Sequence, residues 1–307
     1  MTETAEFSFE PDLDVVGHDF VVAWYEQSRT GHQKAKVGLW TQGGEAKWVQ
    51  TLSASDRNGR NPVVRTVNGK FFCVWLEQST DSTDVWARWL DRDGSPLSPP
   101  RRIAPAGPTT WNLNVLADRE GHAWVVFDAT ADTLTDEVFL VRVHDTLSTI
   151  VQLTADDGFS SKYPDLVIGS GQAALTWFDE RDGNREVYML VAPLEQLTTG
   201  GKSLIMRVTT TPGESIGAYL ALNEHRLGLA WSDDSEGNHE VYFQSFDLEG
   251  TATLPPLQLT ENPTASLIPS IRSWNEGFAL AWNEDLVHAR DTHGLSGRSK
   301  IVFTLVP

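Results

Sequence analysis

Short apolar segments that end in Trp, any residue and then Asp or Glu recur along the chain. They read FVVAWYE, FFCVWLE, AALTWFD, LGLAWSD and FALAWNE, and their tryptophans are Trp24, Trp75, Trp177, Trp231 and Trp282. A sixth copy, AWVVFDA, has Phe127 in the tryptophan place. Successive aromatic positions lie 51, 52, 50, 54 and 51 residues apart. A period near 50 residues that is sustained along the chain indicates a repeat architecture.

Two further marks keep the same phase as the aromatic residue. Thirteen residues before it the six copies have, in order, Pro11, Pro62, Asn114, Pro164, Ala218 and Pro269. Proline suits the first residue of a strand because its missing N–H then breaks no ladder. About ten residues after the aromatic, DVWARWL, EVFLVRV, EVYMLVA and EVYFQSF alternate in the manner of strands. A fourth apolar segment, such as KWVQTLS or TIVQLTA, then closes five of the copies.

Each copy therefore contains four short strands, A to D, joined by turn signals such as DRDG, RDGN and SEGN. Four strands repeated at this period are typical of a β-propeller blade. We predict an all-β fold, a six-bladed β-propeller with four antiparallel strands per blade, that occupies residues 1–307 as one domain. The blades are predicted at 10–53, 61–105, 113–155, 163–209, 217–261 and 268–307.

The last copy is one strand short. It ends at KIVFTLVP, which corresponds to strand C, and the sequence given stops there. The N-terminal segment TAEFSFE is strand-like and precedes the first strand A. We expect residues 2–9 to supply the missing strand and close the last blade, because an open sheet edge invites aggregation.

The B–C hairpins carry a recognisable motif. Residues 177–188 read WFDERDGNREVY, and residues 231–242 follow the same pattern. This resembles the broad group of bacterial repeat propellers, sialidase-like and lectin-like, whose blades read W-x-D-x-x-x-G-N-x-E-V-Y. The resemblance covers the whole chain and implies the fold. It leaves the activity open, because such blades occur in lectins, hydrolases, lyases and scaffolds alike.

Charge narrows the choice of partners. The chain has 24 Lys and Arg against 42 Asp and Glu, a formal net charge of −18. Nucleic acids and anionic membrane surfaces require basic clusters, and we expect neither as a partner. No apolar run approaches the roughly 20 residues of a membrane helix. The first 25 residues lack a signal peptide, so we expect a cytoplasmic protein if the start is native, although a processed secreted protein would look the same.

Most repeated residues are interpreted as structural. The acidic residue after the aromatic recurs in nearly every copy, which favours a role in its own B–C turn over a single active site. The tryptophans are assigned to packing between blades, and the one cysteine, Cys73, to the core. No arginine triad of the sialidase kind can be assigned. The loop arginines are interpreted as turn-surface residues: Arg29, Arg57, Arg60, Arg181 and Arg290.

Function is expected where the repeat breaks. The third copy lacks the Trp and Pro and has Trp111 on the loop before its strand A. The sixth has a long B–C insertion, and copy one, its neighbour in a ring of six, contributes a B–C loop to the same face. The candidate ligand-binding residues are Trp111, His288, Arg290, Asp291, His293, Arg29 and His32. Such histidines would make binding vary between about pH 5 and pH 8.

No residue can be assigned a catalytic role, and no cofactor or metal site is expected, because the five-residue spacing of His288 and His293 matches no zinc motif. The first hypothesis is a binding module that presents the loop face and channel mouth to a glycan or protein partner. The alternative is a carbohydrate-active enzyme, a glycoside hydrolase or polysaccharide lyase, with its site at the channel mouth. A scaffold is the third. The sequence specifies no oligomeric state.

Overall fold

The computed structural model describes residues 7–80, 82–110, 112–131, 135–144, 147–199, 203–285 and 299–307. In these ranges the chain folds into 23 β-strands and one short 3-10 helix, Leu194–Thr198. None of the described segments is a helix long and apolar enough to cross a bilayer. The chain divides into two compact units, Met1–Asp156 and Asp157–Pro307.

The first unit contains three four-stranded antiparallel sheets, each a meander of consecutive strands. The first sheet consists of β1 (Phe7–Val16), β2 (Asp19–Gln27), β3 (Gln33–Thr41) and β4 (Ala46–Thr51). The second consists of β5 (Asn58–Val67), β6 (Lys70–Gln78), β7 (Thr83–Leu90) and β8 (Arg101–Pro105). The third consists of β9 (Leu113–Ala117), β10 (Ala123–Thr130), β11 (Asp136–His144) and β12 (Leu147–Gln152).

The second unit repeats this plan in two four-stranded sheets and one three-stranded sheet. Its first sheet consists of β13 (Ser161–Gly169), β14 (Gln172–Asp179), β15 (Glu186–Pro193) and β16 (Leu204–Arg207). The next consists of β17 (Ser215–Leu222), β18 (Leu227–Asp233), β19 (Glu240–Phe246) and β20 (Leu257–Gln258). The last consists of β21 (Ser266–Trp274), β22 (Gly277–Asp285) and β23 (Ser299–Val306).

Six consecutive sheets, one for each sequence repeat, confirm the predicted fold class, an all-β six-bladed β-propeller. In the first five blades the strands follow the predicted order A to D, in the described part of the sixth they follow A to C, and the B strand carries the repeated aromatic residue. The assignment of residues 1–307 to one domain stays a prediction.

The predicted closure of the last blade is wrong for the part of it that the structure describes. Phe7 and Phe9 pair with Gln27 and Tyr25 of β2, so this segment lengthens strand A of the first blade. The described part of the sixth sheet has three strands. Residues 1–6 lie outside the described residues. The chain continues straight from Phe7–Phe9 into strand A because a β-bulge, and not a turn, separates the two segments.

That bulge recurs and explains two of the sequence marks together. In five blades the register of strands A and B shifts so that two residues of A oppose the B-strand tryptophan. The first of the two has a positive φ of 48° to 62°, and the second is Pro or Ala. The positive-φ residues are Glu10, Asn61, Tyr163, Gly217 and Ile268. A bulge leaves one residue unpaired, so it tolerates a proline that cannot donate to the ladder.

The aromatic residues of strand B lie in the cores between sheets, as predicted. Trp75 and Trp177 are fully buried, and Phe127, Trp231 and Trp282 are at most 4% exposed, whereas Trp24 is half-buried. Trp75 packs in a cluster formed by the first two sheets, and Cys73 is fully buried in the same cluster. Burial raises the pKa of the Cys73 thiol, so it is a core residue and not a nucleophile.

Aspartates tie neighbouring A strands together within each unit. Asp12 in β1 accepts a hydrogen bond at 2.8 Å from the backbone N–H of Val64 in β5. Asp165 in β13 does the same for Leu220 in β17, at 2.7 Å. The innermost strand has one unpaired edge, and these carboxylates satisfy its N–H groups. The starts of adjacent A strands are thereby held side by side.

Candidate functional site

The repeated carboxylates are used for structure. The indole N–H of Trp75 donates to Glu77 at 2.7 Å, and that of Trp177 donates to Asp179 at 3.0 Å. Asp179 also accepts the backbone N–H of Arg181 in its own B–C turn at 3.1 Å. These contacts agree with the structural interpretation, because each carboxylate fixes a buried indole and the turn that follows it.

The G-N-x-E-V-Y part of the motif is structural as well. Asn184 donates to Glu186 at 3.1 Å and to the carbonyl of Thr211 at 3.1 Å, which holds the next D–A loop. The hydroxyl of Thr209 donates to Glu186 and accepts the N–H of Val187 at 2.8 Å. Blade 5 repeats the clasp with Asn238, Glu240 and Thr260. The motif specifies hairpin geometry, which is why it occurs in proteins of unrelated function.

Most of the sequence-predicted site falls outside the described residues, namely Trp111, His288, Arg290, Asp291 and His293. Of the other two, Arg29 is exposed in the β2–β3 turn, and His32 is half-buried with its Nε2 atom 3.3 Å from the carbonyl oxygen of Ser55. The predicted juxtaposition of Arg29 and His32 with residues 288–293 stays a prediction.

A different group of functional side chains collects where the A strands of blades 1 and 2 begin. Glu10 is the positive-φ residue of the bulge in β1. Tyr25 lies opposite Phe9 in the ladder, and their rings stack with centroids 5.2 Å apart. Arg60 stands directly before the equivalent bulge in β5. Tyr25 is 7% exposed and Arg60 only 5%, so a cation and a phenol are both withdrawn from water.

The three groups influence one another electrostatically. Burial raises the pKa of the Glu10 carboxyl although the residue reaches solvent, and the charge of Arg60 opposes that rise. Burial also raises the pKa of Tyr25, with the Glu10 charge adding to the effect. Burial lowers the pKa of Arg60, against the opposing effect of Glu10 and Tyr25. A carboxyl, a phenol and a guanidinium with mutually perturbed ionisation are a candidate catalytic constellation.

The loop between blades 2 and 3 holds the guanidinium in place. Arg60 Nη2 donates to the backbone carbonyl of Thr110 at 3.1 Å. The Thr110 side chain is fully buried, donates to the carbonyl of Asp128 at 2.7 Å and accepts the N–H of Gly107 at 3.0 Å. Arg60 is therefore preorganised by a rigid loop, as a ligand-binding cation must be. The interpretation of Arg60 as a turn-surface residue is wrong, because it lies within a strand and is buried.

Sequence reasoning missed this site because its members occupy repeat positions without repeating in type. The bulge position holds Glu10 in blade 1, but Asn61, Tyr163, Gly217 and Ile268 elsewhere. The available signal for this site was Glu10 itself, a charged residue at a repeat position that is uncharged in the other four blades with this bulge.

One cluster has the composition of a metal site but not the geometry. Oxygen and nitrogen atoms of Asp118, Glu120 and His122 lie within 4.8 Å of one another. Arg142 Nη2, however, lies 2.9 Å from His122 Nε2, and Asp118 Oδ2 accepts from Trp124 Nε1 at 2.8 Å. Because a guanidinium can only donate, His122 Nε2 accepts and Nδ1 carries the proton toward Asp118, 2.8 Å away. The potential ligand atoms are engaged in a hydrogen-bond network with a cation at its centre.

His239, just before β19, is a second group with perturbed ionisation. It is 8% exposed, and its Nδ1 atom makes no hydrogen bond to the part of the chain that the structure describes. Burial lowers its pKa, and the charges of Asp234, Asp233 and Glu214 oppose the shift. It belongs to the second unit, Asp157–Pro307.

Comparison with known proteins establishes the fold class and no more. No protein family and no curated protein matches the sequence. The Hadza microbial sialidase Hz136 has a similar structure, with a TM-score of 0.60 and 13% identity over 92% of this chain and 64% of that chain. A polysaccharide lyase of family PL25, an ulvan lyase, gives a TM-score of 0.54 and 9% identity over 94% of this chain and 81% of that one. This β-propeller fold is thus shared with enzymes that process carbohydrates.

Proposed function

We propose that this chain is a carbohydrate-active enzyme that cleaves a glycosidic bond next to a carboxylated sugar. The observation that carries the proposal is the grouping of Glu10, Tyr25 and Arg60 at the start of the A strands. It favours the enzyme hypothesis over the pure binding module, because a carboxyl with a raised pKa serves proton transfer and adds nothing to passive recognition.

Arg60 provides the recognition. A buried guanidinium is a strong partner for a planar carboxylate, because it offers several N–H donors in a fixed geometry. The stacked rings of Phe9 and Tyr25, of which Phe9 is 38% exposed, supply an apolar surface at the same strand ends. The fold-level neighbours are compatible with this choice, since the ulvan lyase is known with -[GlcA(1-4)Rha3S]-, a saccharide containing glucuronic acid, bound to it.

Glu10 provides the proton. Burial favours its protonated form, which can donate to the glycosidic oxygen as the bond to carbon breaks. In hydrolysis the bond that breaks is at the anomeric carbon, a water oxygen bonds to that carbon, and the proton that the water loses passes to solvent, from which Glu10 is reprotonated. In elimination the proton next to the sugar carboxylate passes to solvent, a carbon–carbon double bond forms, and the C–O bond to the leaving sugar breaks. Arg60 would assist elimination directly, because neutralising the carboxylate makes that proton more acidic.

The test is a screen of acidic polysaccharides and sialylated glycans with the purified chain. Reducing ends without ultraviolet absorbance indicate hydrolysis, and reducing ends with absorbance of an unsaturated sugar indicate elimination. Arg60→Met should lower kcat/KM at least about a hundredfold, since a lost charge-assisted contact of this kind is worth roughly 3 kcal/mol.

Arg102→Met is the matched control, because Arg102 lies on the outer strand of the same sheet and pairs with Asp84 at 2.7 Å. It should keep full activity. Binding of acidic glycans without any product would contradict the enzyme proposal and support the binding-module hypothesis. Equal activity in the Arg60 and Arg102 variants would remove Arg60 from the site.

A further inference from the structure

A cleft lies at the opposite end of strand β5 from Arg60. Strand β5 begins near Arg60 and ends at Val67, a distance of roughly 20 Å at about 3.3 Å per residue. Beyond that end the turns of blades 2 and 3 enclose a cleft of about 430 Å³. The side chains that line it include Lys70, Trp89, Leu97, Ser98, Glu120 and His144.

One wall of the cleft is apolar and rigid. Trp89 in β7 is half-buried and packs on Phe72, with ring centroids 4.6 Å apart. Leu97 is 45% exposed, and its backbone N–H donates to the carbonyl of Trp89 at 3.0 Å. The backbone N–H of Trp89 in turn faces the hydroxyl of Ser98 at 3.4 Å. An indole and a leucine are therefore held side by side at the protein surface.

The other wall is polar and is supported from behind. The ring of His144 lies 4.9 Å from that of His122, centroid to centroid. Asp118 and Arg142 fix the orientation of His122, and the Arg142 guanidinium lies 5.4 Å above the ring of Trp124. The network that resembles a metal site thus serves as the backing of this wall.

Charged side chains stand at the rim. The carboxylate of Glu120 is 77% exposed and approaches His122 Nδ1 to 3.5 Å. Lys70, the first residue of β6, is exposed and also lines the cleft. A carboxylate that accepts and an ammonium that donates are complementary to neighbouring sugar hydroxyls, which do both.

We propose that this cleft binds one or two residues of a neutral saccharide, at a site separate from the Glu10 group. The apolar wall matches the C–H face of a sugar ring, and the rim matches its hydroxyls. The volume lies within the range of small-ligand pockets. A polyanion fits less well, because the cleft is lined by a carboxylate as well as an ammonium group and the chain carries a formal charge of −18. The site would hold a long glycan on the protein, whether or not the Glu10 group is catalytic.

The experiment is native gel electrophoresis of the whole chain with soluble xylan, β-glucan or galactomannan in the gel. The wild type should be retarded by at least one of the three. The double variant Glu120→Gln, Lys70→Gln should bind that polysaccharide at least about tenfold more weakly, because each exchange weakens a hydrogen bond to a charged group.

Glu224→Gln is the matched control, since Glu224 is exposed in the corresponding turn of blade 5. It should be retarded like the wild type. Arg60→Met should also be retarded normally, which separates this site from the Glu10 group. Absence of retardation in the wild type, or equal retardation of the wild type and the double variant, would overturn the proposal.

Discussion

The starts of the A strands in blades 1 and 2 differ from those in blades 4 and 5, although the backbone is the same. All four have the bulge opposite a B-strand tryptophan. In blades 4 and 5 the positive-φ residues of the bulges are Tyr163 and Gly217. In blade 1 this residue is Glu10, and in blade 2 Arg60 stands directly before the bulge. The repeat conserves the geometry that packs the tryptophan and leaves the neighbouring side chain open to variation. Chemistry in this protein is expected where the scaffold is constant and the residue type is not.

The largest expected effect comes from neutralising the carboxyl of Glu10 at the bulge of blade 1. Glu10→Gln should lower kcat by about a hundredfold to ten-thousandfold, the range for a lost general acid, on whichever acidic glycan is cleaved. Its stability should be equal to or higher than that of the wild type at neutral pH. The raised pKa means that the folded state prefers the protonated carboxyl, so ionisation above the ordinary value near 4.5 costs the wild type stability.

Thermal melts and kcat measured on the same samples decide this prediction. The stability gain of the variant should vanish as the pH falls below about 4.5, where the wild-type carboxyl is protonated in both states. Asn61→Asp, which changes charge at the bulge of blade 2, serves as the comparison for effects of the bulge itself. A Glu10 variant that loses stability at pH 7 while keeping its turnover would show that the residue is part of the scaffold.

Changes to the B-strand tryptophans, which the repeats share, should lower stability and not activity. Trp177→Ala should lower the free energy of unfolding by about 3–5 kcal/mol, because it empties a fully buried indole site and leaves Asp179 without one donor. Trp274→Ala should cost less than about 1 kcal/mol, since Trp274 is 56% exposed. Denaturant melts of both variants test this, and similar losses for the two would contradict the assignment of the repeat tryptophans to the core.

The 50-residue period of the sequence predicts the features that every blade shares, and these features make up most of the fold. The repeated positions represented by Trp177 and Pro164 predict the number of blades, the strand order and the buried face of strand B. They repeat because each blade of a propeller packs against its neighbours in the same way. The bulge in strand A, opposite the tryptophan, could not be predicted from the sequence, because its positive-φ residues Tyr163, Gly217 and Ile268 share no residue type. The five bulges share the opposed B-strand tryptophan and not a residue type.

The errors have the same origin. Residues 7–9 were expected in the last blade because a strand-like segment before Pro11 looks identical whether it forms its own strand or extends the next one. Arg60 looked like a surface turn residue because strand β5 starts earlier than its proline suggests, at Asn58. Both errors come from beginning strand A at its proline, whereas the strand starts earlier and continues across a bulge that the sequence does not mark. Pairing register, which depends on tertiary contacts, decides such cases.

The smallest expected effect concerns the buried histidine of the second unit. Burial holds the pKa of His239 below its ordinary value near 6.5, so the folded state resists protonation more than the unfolded chain does. The corresponding stability is fully present above about pH 6.5 and is lost as the pH falls below it toward the folded-state pKa, because the unfolded chain then binds the extra proton. Replacing His239 by Gln removes the ionisation. The wild type should therefore lose stability relative to His239→Gln on acidification, by less than the loss from Trp177→Ala.

The measurement is the free energy of unfolding of both proteins between about pH 7.5 and pH 5. The control is His225→Gln, because His225 is an exposed turn histidine. Curves for the wild type and His239→Gln that stay parallel over this range would mean that His239 is as accessible to protons in the folded chain as in the unfolded one.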